Sequence, residues 1–148
     1  MFQHILIATD GSELAGKAER TGLALAKALG AKATAITVTE AWDALSMAAL
    51  AERGVPNPVA DYEQSASSAA NRILWEVDEI AKQTGVHCAT RHVKEMHPAE
   101  GILDAAKEYG CDLIVMASHG RRGISRLLLG SQANKVVTLS PVPVLVCR

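Results

Sequence analysis

Two stretches of the sequence combine residue types that could hold a phosphate. The first, Gly11-Ser12-Glu13-Leu14-Ala15-Gly16-Lys17-Ala18, fits the G-x-x-x-x-G-K spacing of a phosphate-cradling loop and follows an apolar run. Its last position is Ala18, where a hydroxyl is needed to hold magnesium. Gly16 and Lys17 also fall inside a helical pattern from Leu14 to Leu29, whereas a working loop starts its helix at the Gly-Lys pair. This stretch therefore reads as a small helix residue at a packing contact beside a solvent-facing lysine. The second stretch runs from Met116 to Gln132, between the apolar run Leu113 to Val115 and a helical pattern starting near Ser131. Gly120, Gly123 and Gly130 allow close backbone approach to an anion. Ser131 offers a hydroxyl, and the Ser131 and Gln132 amides are unpaired donors of a helix start. Arg121, Arg122 and Arg126 add charge. By spacing alone, this stretch is either an anion site or a structural loop. His119 sits within it, either as an acid or base near neutral pH or as a hydrogen-bonding loop residue.

The elements that must position these stretches alternate. His4 to Thr9 is a short apolar strand, and Asp10-Gly11-Ser12-Glu13 a turn and helix start. A helix on Leu14, Ala18, Gly22, Leu25 and Leu29 ends at Gly30, and Lys32 to Thr39 is a second strand. The stretch from Glu40 to Ala60 is irregular, with a short helix near Ala44 to Arg53 and chain breaks at Pro56 and Pro58. Trp42, Leu45 and Met47 fit either a flap over the core or a functional lid. A long helix spans Asp61 to Thr84 on a stripe of Ala66, Ala70, Ile73, Val77 and Ile80. Val86 to Lys94 is a polar edge strand whose His87 and His92 read as solvated. Pro98 opens a helix reaching Gly110, Asp112 to Ala117 is the most apolar strand, Ser131 to Leu139 a helix, and Val142 to Cys147 an edge strand carrying Pro143.

Such alternation predicts one α/β domain over residues 1–148, an open five-stranded parallel sheet with helices on both faces. Strands 1 and 4 are the central neighbours, so the loops at Asp10 and at Ala117 to Gly130 face one crevice where the strand order reverses. A net charge of −1 and 3% aromatic residues exclude a phosphate-neutralising or base-stacking nucleic-acid binder. No apolar run approaches a membrane span, and the first residues lack the basic region of a signal peptide. Cys88, Cys111 and Cys147 read as buried reduced thiols of a cytoplasmic protein. No nucleophile stands paired with a base, no triad or metal-ligand cluster is spelled out, and the His-x-Gly-His of nucleotidylyltransferases is missing.

Ile5-Leu6-Ile7-Ala8-Thr9-Asp10-Gly11-Ser12, Asp112-Leu113-Ile114-Val115-Met116 and Pro141-Val142-Pro143-Val144-Leu145-Val146 resemble the opening, fourth and closing strands of the universal stress proteins. The family's motif G-x2-G-x9-G-[ST] falls on Ala117, Gly120, Gly130 and Ser131, with alanine at the first glycine. The resemblance, to the ATP-binding branch, implies a homodimer and a bound adenine nucleotide, with magnesium held through the nucleotide if at all. Carried over, Ala8 and Asp10 approach the nucleoside, and Val38 holds the adenine edge by its backbone. Met116, Ala117, Gly120, Gly130, Ser131 and Gln132 surround ribose and phosphates. Asp10 would accept a ribose hydroxyl or hold a cation, and would repel bare phosphate. If the Ala117 backbone needs positive φ, the alanine costs roughly 1 kcal/mol. The implied function is a cytoplasmic stress-response module that binds nucleotide. The alternatives are a weak ATPase or self-phosphorylating enzyme using that pocket, and a nucleotide-free dimeric scaffold. The dimer is expected through strand 5, at Val142, Val144 and Val146.

Overall fold

The computed structural model describes residues 1–121 and 128–148. Gly123, Arg122 and Arg126 of the glycine-bearing stretch lie outside the described residues. The elements are β1 (His4–Ala8), α1 (Glu13–Leu29), β2 (Lys32–Thr39), α2 (Ala44–Glu52), α3 (Pro58–Thr84), β3 (Cys88–Lys94), α4 (Pro98–Glu108), β4 (Leu113–Ala117), α5 (Ser131–Leu139) and β5 (Val144–Cys147).

All five strands are parallel and lie in the order β3-β2-β1-β4-β5. From β1 the chain moves outward through β2 to β3, then returns to the other side of β1 for β4 and β5. The strand order therefore reverses between the central neighbours β1 and β4, as the sequence predicts. Ile5, Ile7, Ala33, Ala35 and Val115 pack on one side with Ala18 and Leu23 of α1 and Val77 of α3. Leu6, Ile36, Ile114 and Met116 pack on the other with Ile102 and Ala105 of α4 and Val136 of α5. Burial of β1 and β4 on both faces explains why they read as unbroken apolar runs rather than alternating ones.

Local chemistry sets the element ends. Ser12 caps α1, its hydroxyl accepting from the Ala15 N–H at 3.2 Å. Gly30 closes that helix at φ 65°, and the Ala31 N–H reaches back to the Ala26 carbonyl at 2.9 Å before β2 begins. Two expectations need correction. α3 begins at Pro58, three residues before the expected Asp61, because a proline read as a break occupies the first helical turn, where no N–H is required. β3 and β5 begin at Cys88 and Val144, each two residues later than expected. α2 is found within the irregular stretch, capped by the Asp43 carboxylate on the Ser46 N–H at 2.8 Å.

Candidate functional site

The crevice lies beyond the C-terminal ends of β1 and β4. Asp10 leaves β1 and bridges its two sides. Its Oδ1 accepts from the Ser12 N–H at 3.0 Å, and its Oδ2 from the N–H of Arg121, 111 residues later, also at 3.0 Å. Both loops converge on this carboxylate as the topology requires. A Cβ on Gly120 would stand 2.6 Å from Asp10 Oδ2, so a side chain there would displace the carboxylate. Gly11 has φ +74°, and a side chain there would meet Ile73 at 2.7 Å.

Asp10 is propped from below. The Thr9 hydroxyl accepts the Gly11 N–H at 3.1 Å and donates to Glu19 Oε1 on α1. Glu19 is 7% exposed. Burial pushes its carboxyl pKa up, against the Thr9 hydrogen bond and the nearby Arg20 guanidinium, and the negative charges of Glu76 and Asp10 push it further the same way. The sequence reading missed Glu19. The available signal was its position on the stripe Ala15, Glu19, Gly22 and Ala26, all of them buried.

On the other side, the Ser118 N–H continues the β4–β5 ladder to the Cys147 carbonyl at 2.8 Å. The Ser118 carbonyl then accepts the Gly130 N–H at 2.8 Å, drawing the start of α5 onto the end of β4. Gly130 is extended at φ −61°, so its need is spatial. A Cβ would meet His119 and the Ser118 carbonyl at 3.1 Å. Gly130 provides α5 with no side-chain cap. Among the described residues nothing accepts from the first-turn N–H groups of Ser131 and Gln132, and the positive end of the helix dipole lies behind them. His119 hydrogen-bonds through Nδ1 to the Ser118 hydroxyl at 3.1 Å.

Val38 is half-buried on β2. Along a parallel strand the peptide groups of alternate residues face alternate neighbours. The Ile36 carbonyl accepts the Thr9 N–H from the β1 side, at 3.0 Å. Two residues on, the Val38 N–H and carbonyl face the same side, beyond the point where β1 has ended. Ala8 and Met116, near the C-terminal ends of β1 and β4, are both buried in the core beneath α4 and α5. Ala117 is the last residue of β4, in register with Cys147. Its φ is not positive; among the described residues Glu95 is the only non-glycine with positive φ. The backbone penalty considered for this alanine therefore does not arise.

Four side chains differ from expectation. The Gln132 amide is turned away from the crevice, its Oε1 accepting the Ala99 N–H at the start of α4 at 3.0 Å. His92 is half-buried and hydrogen-bonds through Nε2 to the Thr39 hydroxyl at 2.8 Å across the β2–β3 pair. Burial and the neighbouring Lys94 lower its pKa. Of the thiols, only Cys111 is buried; Cys88 and Cys147 are half-buried, and all three are free. Desolvation raises the Cys88 and Cys111 pKa values to about 11, which leaves both thiols protonated and unreactive at neutral pH.

A separate cavity of about 150 Å³ lies beside the crevice, between Thr39, His92 and Lys94 on the sheet and Trp42 and Tyr62 from the α2–α3 region. None of the nine crevice residues named above lines it. Among the described residues no group of three or more His, Cys, Asp or Glu side chains is placed to hold a metal. Nor is any described helix long and apolar enough to cross a membrane.

The whole chain, residues 1–148, matches the model of the universal stress protein family. It is 35% identical over 154 residues to the universal stress protein in the QAH/OAS sulfhydrylase 3' region of Thermus aquaticus, covering 100% of both chains. It is 33% identical over 149 residues to universal stress protein YxiE of Bacillus subtilis, again covering 100% of both. Its fold is similar to that of a universal stress protein solved in complex with cAMP, with a TM-score of 0.73, 26% identity and coverage of 99% of this chain and 97% of that one. The chain belongs to the universal stress protein family.

Proposed function

We propose that the chain binds an adenine nucleotide, ATP or a close relative, in the crevice between β1 and β4, and serves as a cytoplasmic, homodimeric stress-response module. The observation that supports this best is the convergence at Asp10. One carboxylate ties the β1 loop to the Arg121 end of the glycine-bearing loop, beside a helix start without a side-chain cap. In this reading the Val38 N–H and carbonyl clamp the adenine edge, which needs no polar side chain. Ala8 and Met116 form the floor, and Asp10 meets a ribose hydroxyl or a magnesium ion carried by the nucleotide. Ala117 and Gly120 let the backbone run close to the phosphates, and the N–H groups of Ser131 and Gln132 face them. Gln132 contributes only its backbone, since its side chain is committed to α4. That a structurally similar universal stress protein was solved with cAMP supports the choice of an adenine nucleotide.

Calorimetry of the purified chain with ATP, ADP, AMP and cyclic AMP tests the reading. Saturable heat is expected with at least one of them. Gly130→Asp should abolish it, because its side chain would crowd His119 and the Ser118 carbonyl and bring negative charge to the phosphate position. Unchanged affinity in that variant, or no heat with any of the four, would sink the proposal.

A further inference from the structure

A second cleft opens at the opposite end of the sheet, beside the N-terminal ends of β1, β2 and β3. Its open volume is about 220 Å³. His4 on β1 stands in register with Lys32 on β2. Lys32 stands beside His87, because the next residues, Ala33 and Cys88, are in register. Strand alternation puts all three side chains on the face covered elsewhere by α4. Arg91 joins them from farther along β3, its guanidinium carbon 6.0 Å from the centre of the Tyr109 ring. Four basic side chains thus line one cleft, and no carboxylate lines it.

Such a grouping needs an explanation. Like charges on adjacent strands oppose each other, and among the described residues no carboxylate lines the cleft to offset them. Among the described residues neither Lys32 nor Arg91 forms an ion pair. Asp112, the acid beside His4, does not line the cleft; its two oxygens accept the Gln3 and His4 N–H groups at 2.8 and 3.0 Å. Nor are the cations required by the end of α4, whose Ala105, Ala106 and Lys107 carbonyls accept the Tyr109, Cys111 and Gly110 N–H groups. His4 lines the cleft too, 8% exposed and hydrogen-bonded through Nε2 to Thr34. Burial and the Lys32 ammonium lower its pKa, against the Tyr109 carbonyl and Asp112. What the cleft lacks is negative charge.

We propose that this basic cleft binds a phosphate-class oxyanion, held by Lys32, His87 and Arg91. An arginine fork fits phosphate oxygens in pairs, and lysine supplies a point charge. The site lies across the sheet from the nucleotide crevice, so its test stands apart from the nucleotide reading.

The full chain, labelled with ¹⁵N, is titrated with inorganic phosphate and, separately, with methyl phosphate, at ionic strength fixed with sodium chloride. Saturable shifts are expected at the His87 ring and the Arg91 side chain, whether or not the Ser131 amide in the other crevice also moves. Saturation by phosphate alone identifies the free ion as ligand, and saturation by methyl phosphate identifies a phosphomonoester. Lys32→Gln and Arg91→Gln alter exposed side chains and should each weaken this binding roughly tenfold. The proposal falls if neither compound produces saturable shifts at His87 and Arg91, if chloride alone reproduces them, or if both variants bind like the parent.

Discussion

Glu19 is the only carboxylate buried among the described residues, and its contact with Thr9 links its protonation to the loop that carries Asp10. Its folded pKa is raised above the ordinary value of 4.5, chiefly by burial. The folded chain therefore holds this proton to higher pH than the unfolded chain does. Between the unfolded and folded pKa values stability falls as pH rises, and above both the penalty is fully present. Glu19→Gln retains an acceptor for Thr9 and cannot ionise. Urea melts at pH 4 and pH 7.5 should therefore show parent and variant alike in acid, with the variant the more stable near neutrality. A stability difference that does not change with pH would contradict this assignment. Nothing in composition marks Glu19, because an acid on an amphipathic helix ordinarily faces water. Asp10 and Gly120 were legible because turn chemistry and topology brought them together. The Gln132 side chain was not, since its partner is a helix start 33 residues away.

At the scale of elements, two helical glycines show how packing rather than spacing decides a role. Gly16, the glycine of the apparent G-K pair, lies inside α1, and a Cβ there would make only ordinary contact with Arg20 at 3.4 Å. Gly16→Ala should stabilise the chain by about 0.5–1 kcal/mol, the helix-interior cost of glycine. Gly101 on α4 is different. A Cβ there would stand 2.8 Å from Val38 Cγ1 and 3.2 Å from Val93 Cγ1, so α4 lies on β2 and β3 because this residue has no side chain. Gly101→Val should lose roughly 1–3 kcal/mol through overpacking, and in displacing Val38 it should weaken adenine-nucleotide binding as well. Opposite shifts of the urea midpoint would separate the two glycines; equal shifts would refute the packing account. The sequence reading rejected Gly16 as a phosphate loop on helical periodicity but passed over Gly101, because close approach to a sheet leaves no periodic trace. The same limit acts at element ends. β2 and α5 begin and end where the pattern puts them, whereas the start of α3 turns on whether Pro58 breaks a helix or opens one.

Across the whole molecule, the two sheet edges are built differently. β3 carries Arg91, His92 and Lys94, charged or polar groups of the kind that discourage edge pairing. β5, at the other edge, reads Val-Leu-Val-Cys and carries no charge. The sequence pointed to Val142, Val144 and Val146 as the dimer contact, but Val142 and Val144 pack partly into the core beneath α4 and α5. Leu145 is the more exposed side chain, at 37%, and Val137 and Leu139 of α5 are exposed as well, at 45% and 64%. An uncharged parallel-sheet edge bordered by exposed apolar groups is most simply covered by a second copy related by a two-fold axis. Light scattering at micromolar concentration should therefore give twice the 15.6 kDa chain mass. Leu145→Lys places a charge on that edge and should raise the dimer dissociation constant at least roughly tenfold, the loss of one buried leucine contact. The substituted side chain lies at the rim of the fold, so circular dichroism should be unchanged. A parent that scatters as a monomer, or a Leu145→Lys dimer as tight as the parent, would place the partner-binding surface elsewhere and leave the β5 edge bare.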